Sequence, residues 1–216
     1  MTRNFALPTG APESDAGPGV EGNSRLTAST GIVLSVLLII EGVTILDVRG
    51  YITLHTVIGL ALIGPLVLKT ATTCYRFARY YTRHRDYVRR GAPPLLLRAI
   101  GPFVILSSVA VIGTGVALLA THGASDTWLT LHQASFIVWI AFTGLHFLGH
   151  IYEAVVVTAR DIRRGRDDFA ARGRVVRLGL VATSLVVGFG VAAVFTPSAS
   201  SWQLHQHFEH GDFRGR

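Results

Sequence analysis

The sequence predicts an all-α integral membrane protein: an antiparallel up-down four-helix transmembrane bundle with a fifth, peripheral transmembrane helix. Half of the 216 residues are apolar and only 15% are charged, which is unusual for a soluble domain. The apolar residues are concentrated in five segments, each near the ~20 residues that a helix needs to cross a bilayer. These segments are residues 27–46, 52–74, 98–121, 128–154 and 175–196.

Residues 1–26 precede the first apolar segment and are rich in Gly, Pro, Ala and Ser. They have no hydrophobic periodicity, and they lack the charged start and adjoining apolar stretch of a cleaved signal peptide. We therefore expect a disordered cytoplasmic tail. Residues 27–154 hold four apolar segments joined by short or moderate connections, which favours an antiparallel four-helix core.

The basic residues predict the orientation of these helices. Of the 20 basic residues, Lys69 is the only lysine, and most arginines fall into two blocks that flank apolar segments. The blocks are Arg76, Arg79, Arg83, Arg85, Arg89, Arg90 and Arg98, and Arg160, Arg163, Arg164, Arg166, Arg172, Arg174 and Arg177. This positive-inside pattern predicts a multi-pass plasma-membrane protein with a cytoplasmic N-terminus and an external C-terminus, and no nucleic-acid partner.

The last part of the chain is predicted to lie at the edge of the bundle. Residues 155–174 are expected to form a cytoplasmic arginine-rich loop, and the helix 175–196 carries few polar residues. Residues 197–216 are expected to form an external tail, in which Trp202 and Phe208 favour anchoring at the membrane interface. Capture of a metal is the alternative role of its histidines, His205, His207 and His210.

Ionisable side chains inside a membrane span are costly and point to function. His55 and His132 each lie a few residues inside a helix that enters from the outer side, so we expect them at the same depth. The second and fourth helices of an up-down bundle are diagonal, so a haem in the core could take one axial histidine from each. His55 and His132 are therefore the predicted iron ligands.

Small residues near the outer ends of the helices would let a flat ring approach the backbone. We expect this of Gly59, Gly113 and Gly115, with Gly42 on the first helix. Glu41, also near the outer end, has three candidate roles. It could bond the second nitrogen of a ligating histidine, relay protons, or pair with Arg49.

The fourth predicted helix carries a second histidine toward its inner end. His146 follows His132 by fourteen residues, so both lie on one helix face, about 21 Å apart along the axis. This spacing would allow one helix to serve two stacked haems. The same stripe carries Trp139, Thr143, His150 and Glu153. His146, His150 and Glu153 also fit one side of a transition-metal site, although one helix cannot close such a site.

Two stretches resemble small bacterial, often actinobacterial, cytochrome b membrane proteins. They are Leu54–Tyr81, LHTVIGLALIGPLVLKTATTCYRFARYY, and Leu131–His150, LHQASFIVWIAFTGLHFLGH. These proteins are in turn similar to the cytochrome b(561)-type anchor subunits of formate dehydrogenases and nickel-iron hydrogenases. The resemblance covers about residues 27–154.

The resemblance implies an outer haem b held by His55 and His132, and an inner haem held by His146 and a histidine on the first helix. The inner half of that helix, LTASTGIVLSVLL, contains no histidine. We therefore expect one haem b per chain, with two as the alternative. Lys69 shares the depth of His146 and is expected to snorkel to the interface. Ligation of iron, or a polar pocket with Arg76 for a quinone head group or haem propionates, are the other roles of Lys69.

The sequence thus predicts a membrane electron-transfer protein, an electron-transfer component of an oxidoreductase system. Its partners would be the lipid bilayer, quinol or another membrane carrier, and an external redox protein. The single cysteine, Cys74, excludes an iron–sulfur site within the chain. The alternatives are a non-redox membrane scaffold or assembly protein, and an intramembrane metal enzyme built on His146, His150 and Glu153.

Overall fold

A computed structural model describes residues 18–91, 95–123, 125–163 and 168–211. Within these ranges the chain is helical, with no strand. The helices are α1 (Pro18–Ile45), α2 (Val48–Ala61), α3 (Ile63–Tyr81), α4 (Arg85–Arg89), α5 (Leu95–Ala120), α6 (Asp126–Arg163) and α7 (Asp168–Gly211). Counting α2 and α3 as one span, five helices of the described residues are long and apolar enough to cross a membrane. The predicted helical class and the five helices able to span a membrane are confirmed, in keeping with a helical membrane protein.

The outer surface of these helices is apolar. Ile39, Leu106 and Leu148 are 67%, 65% and 75% exposed, although each lies within a helix long enough to span a membrane. Large exposed aliphatic side chains on several helices are unfavourable in water and favourable against lipid tails. The exposed faces are therefore suited to a bilayer.

Helix α1 begins earlier than the sequence predicts. Residues 18–26, assigned to the disordered tail, form its first turns, while residues 1–17 lie outside the described residues. Val20 is buried, and the Asn23 side-chain amide donates to the backbone oxygen of Thr72 on α3 (3.2 Å). Glu21 and Arg25 form an ion pair one turn apart. These contacts stabilise the helical conformation of residues 18–26, for which the composition predicts an unstructured tail.

The second predicted span is interrupted at Leu62, between α2 and α3. Pro65 lacks a backbone N–H, so the oxygen of Ala61 loses its partner in the helix, and the proline ring clashes with that carbonyl group. At the same point α7 approaches very closely. A Cβ atom added to Gly188 would lie 2.2 Å from the Ala61 oxygen, and one added to Gly64 would lie 1.9 Å from the Ser184 oxygen.

Helix α7 is therefore packed tightly against α2 and α3, and the prediction of a peripheral fifth helix missed these contacts. It presents Ser184, Gly188 and Ala192 at four-residue spacing, the pattern of small residues by which membrane helices approach closely. Helix α7 also extends past both predicted ends, through Pro197 to Gly211. Residues 155–163 and 168–174, predicted as loop, belong to α6 and α7, and only 164–167 lie outside the described residues.

Candidate functional site

The helices surround a cavity of about 1440 Å³, lined by residues of α1, α2, α3, α5 and α6. One end, here called the histidine end, contains His55 and His132. The other, here called the arginine end, contains Arg98 with Tyr81 and Lys69. The lining is mainly apolar, so the cavity is suited to a large ligand with few polar groups.

The structure places His55 of α2 and His132 of α6 side by side in the lining of the cavity. Their ring centres are 6.3 Å apart, and the ring planes are nearly perpendicular, at 82°. Each histidine lies in the first turns of its helix, at the eighth residue of α2 and the seventh of α6. The two rings therefore lie at the equal depth that is expected from the sequence.

The Nδ1 atom of His55 has two partners, both from α1. The carboxylate oxygen Oε1 of Glu41 and the hydroxyl of Thr44 each lie 2.9 Å from it. Because the Thr44 hydroxyl donates to the backbone oxygen of Glu41 (2.6 Å), it accepts from the imidazole. The ring therefore carries a proton on Nδ1, and in the neutral form of the imidazole Nε2 has the free lone pair. Of the three candidate roles of Glu41, the structure shows the bond to the histidine.

His132 is held in the same way by α5. Its Nδ1 lies 3.0 Å from the backbone oxygen of Val111 and 3.2 Å from the hydroxyl of Thr114. A carbonyl oxygen only accepts, so this ring also carries its proton on Nδ1. No described residue forms a hydrogen bond with Nε2 of either histidine. In both rings Nδ1 is therefore held by a hydrogen bond, as in metal-ligating histidines, and Nε2 is the nitrogen without a described hydrogen bond.

The distance between the two ring centres is close to that expected for two imidazoles bound to one metal ion. Metal–imidazole bonds are about 2.0–2.1 Å, so two imidazoles on opposite sides of one ion have ring centres roughly 6 Å apart. The observed separation is 6.3 Å. The two histidines alone leave an ion's equatorial positions open, and the large apolar cavity beside them has room for a planar macrocycle.

Two of the predicted glycines lie at the site and two do not. A Cβ atom on Gly115 would lie 3.0 Å from Cε1 of His132, and one on Gly59 would lie 3.2 Å from the Glu41 carboxylate. Both glycines line the cavity. Gly113 is exposed, and neither it nor Gly42 has an atom within 4 Å of an added Cβ. Neither Gly113 nor Gly42 is among the residues that line the cavity, so the structure does not place them beside the two histidines.

We expect Gly115→Val to disturb the histidine end, whereas Gly113→Val should not. The added side chain at position 115 meets the His132 ring and must displace it from His55, whereas at position 113 it enters open space. Overpacking at a confined position typically costs about 1–3 kcal/mol. Bound haem, measured per purified chain, should fall about five- to a hundredfold in Gly115→Val, and equal haem content in the two variants would contradict this placement.

Toward the arginine end, α6 presents Trp139, Thr143 and His146 to the cavity, on the face that carries His132. The Trp139 indole donates to the Ser108 hydroxyl of α5 (3.0 Å). His146 is half-buried. The shared face of His132 and His146 is therefore as the helical spacing predicts, although the structure describes no histidine on α1 opposite His146.

Lys69 extends from α3 toward α1. Its Nζ donates to the backbone oxygen of Thr27 (3.0 Å) and lies 2.9 Å from the Cβ position of Gly31. An amine that donates to a carbonyl oxygen is a poor ligand for iron, so this contact disfavours the ligation considered above. Arg98, not Arg76, accompanies Lys69 in the cavity lining, and its guanidinium contacts the Tyr81 hydroxyl and ring.

For the remaining candidate residues the structure describes the backbone but not the side chains. His150 and Glu153 are on α6, and the three tail histidines are on α7, but only the backbone is described there. Among the described side chains, no group of three or more His, Cys, Asp or Glu could hold a metal ion.

Sequence reasoning did not identify the groups that hold the histidines in place. In the sequence Thr44 and Thr114 are ordinary helix residues. The hydrogen bond between Val111 and His132 uses the backbone oxygen of Val111, so its side chain gives no signal. The available signal was the position of each threonine near a candidate site residue: Thr44 follows Glu41 by three residues, and Thr114 precedes Gly115.

Comparison of the chain with protein-family models, curated proteins and solved structures gives no match.

Proposed function

We propose that this chain is a membrane electron-transfer protein that holds one haem b between His55 and His132. The two neighbouring rings, with centres 6.3 Å apart and each Nδ1 hydrogen-bonded, carry the proposal. Two axial protein ligands saturate haem iron, so the bound group would exchange single electrons and would not bind oxygen. Electrons would come from quinol or another membrane carrier and pass to a redox partner protein.

The role of the chain's own residues follows from their contacts. The Glu41 carboxylate orients the His55 ring and makes it a stronger donor, because it accepts the Nδ1 proton. A neutral carbonyl performs the orienting role for His132, so the two ligands would differ in basicity. Gly115 leaves space beside the His132 ring for a flat group.

We expect the protein purified in mild detergent to contain about one haem b per chain. A reduced-minus-oxidised spectrum should show the sharp bands of low-spin iron with two nitrogen ligands. The haem-to-protein ratio should be unchanged in His146→Ala, because no second histidine is described opposite it. A colourless protein that is folded and inserted would refute the proposal, and a ratio of two that this substitution halves would establish an inner haem.

We further propose an antiparallel up-down four-helix arrangement in the plasma membrane, with the histidine end external. In its support, the first turns of α2 and α6 share one end of the cavity, and Tyr81 at the end of α3 contacts Arg98 near the start of α5. The arginine end carries the first arginine block, which favours the cytoplasm.

A reporter fused after Arg166 should therefore behave as cytoplasmic, and one fused after Arg216 as external, because one span separates them. Paired alkaline phosphatase and fluorescent-protein fusions in a bacterial host would measure this. If both fusion points report the same side, α7 does not cross the membrane.

A further inference from the structure

We infer that the arginine end of the cavity binds the phosphate group of an anionic phospholipid, with the lipid body lying in the apolar part of the cavity. A ligand between His55 and His132 leaves this region unused, because His146 lies about 21 Å from His132 along α6. The cavity of about 1440 Å³ also exceeds the roughly 300–1,000 Å³ of a single small-molecule site.

The charges that line the cavity favour an anion at this end. Lys69 and Arg98 are lining residues here, and Glu41, at the opposite end, is the only acid among the described lining residues. Lysine and arginine at a membrane interface attract lipid phosphate groups, and basic pockets between helices bind such head groups. The Tyr81 hydroxyl, which contacts Arg98, adds a hydrogen-bonding group beside the guanidinium.

A buried hydroxyl group lies between the two ends of the cavity, slightly nearer to the histidine end than Lys69 is. The Thr143 Oγ1 atom is buried, belongs to a lining residue, and has no hydrogen-bond partner among the described residues. Measured along its helix, Thr143 is about 16 Å from His132, whereas Lys69 is about 21 Å from His55. Tyr81, which Arg98 contacts, follows Lys69 by twelve residues, or about 18 Å along α3. A phosphate beside Arg98 would therefore leave Lys69 and this hydroxyl deeper in the cavity, on the side toward which the ester groups of a glycerolipid extend.

The cavity is also reachable from the bilayer. Leu106 is a lining residue, yet it is 65% exposed, and Cys74 and Tyr81 are both lining and exposed. Helices α3 and α5, on either side of this opening, are not among the extensively packed helix pairs. A molecule that diffuses in the membrane can enter by this route, which favours a lipid over free phosphate.

The test uses the full chain in nanodiscs of phosphatidylcholine with a minor fraction of phosphatidylglycerol, and native mass spectrometry after release. The wild-type chain should retain one phosphatidylglycerol. Lys69→Gln and Arg98→Gln should each retain at least about fivefold less, as expected for loss of one interfacial cation. Arg49→Gln, the same charge change at the histidine end of the same cavity, should retain the wild-type amount.

Thr143→Val conserves side-chain volume and removes one hydrogen bond, so it should weaken retention about two- to tenfold even if a lysine variant folds poorly. His55→Ala should leave the lipid bound, so loss of the proposed haem and loss of the lipid are separate results. The inference would be overturned if all variants retained the same amount of phosphatidylglycerol, or if the retained mass were that of a quinone or a second haem. It would also be overturned if inorganic phosphate added to the lipid-free chain were retained as well as phosphatidylglycerol is.

Discussion

Substitution of either His55 or His132 by alanine is expected to remove most of the proposed haem from the purified protein, to about a tenth of the wild-type content or less. The centres of the two rings are 6.3 Å apart, and the one other histidine among the described lining residues, His146, lies at the arginine end of the cavity. Changes outside the first ligand shell of a metal already cost about 10–100-fold in affinity, and loss of a ligand costs at least as much. Haem per chain and the Soret spectrum measure the effect.

His122→Ala is the matched control, since His122 lies on the exposed turn between α5 and α6, outside the cavity lining. It should retain the wild-type spectrum. Imidazole added to His132→Ala should restore low-spin bands, because it can occupy the vacated space beside Gly115. Normal haem content in both alanine variants, with insertion intact, would rule out this pair as the ligands.

The second large effect is expected on stability, at the contact between α7 and the interruption of α2 and α3. Gly64→Ala and Gly188→Ala each place a methyl group within about 2 Å of a backbone oxygen, which cannot rotate away as a side chain can. Overpacking of this kind costs about 1–3 kcal/mol or more, which lowers the unfolding midpoint by about 6–12 °C at the upper value. Thermal unfolding in detergent measures the shift.

Gly190→Ala provides the comparison within α7, because a Cβ atom there has no neighbour within 4 Å. Alanine is a better helix former than glycine, so this variant should unfold at the wild-type temperature or slightly above it. Wild-type stability in both Gly64→Ala and Gly188→Ala would mean that α7 does not pack at this point.

The sequence alone determined the features that depend on position along a single helix. Hydropathy identified the five spans, because covering a bilayer requires about twenty apolar residues whatever the neighbouring helices do. The helical repeat placed His132 and His146 on one face, and the distances of His55 and His132 from their helix starts placed them at one depth. These quantities follow from the fixed rise and turn of an α-helix.

The tertiary structure decided how the helices rotate, bend and pack, because these depend on the fit of side chains between helices. It turned Gly115 toward His132 and Gly113 away, and it brought Arg98 to the cavity in place of Arg76. It also supplied Glu41 and Val111 as partners of the two imidazoles. Gly64 contacts Ser184 of α7, which lies 120 positions further along the chain. No local pattern near Gly64 identifies this partner.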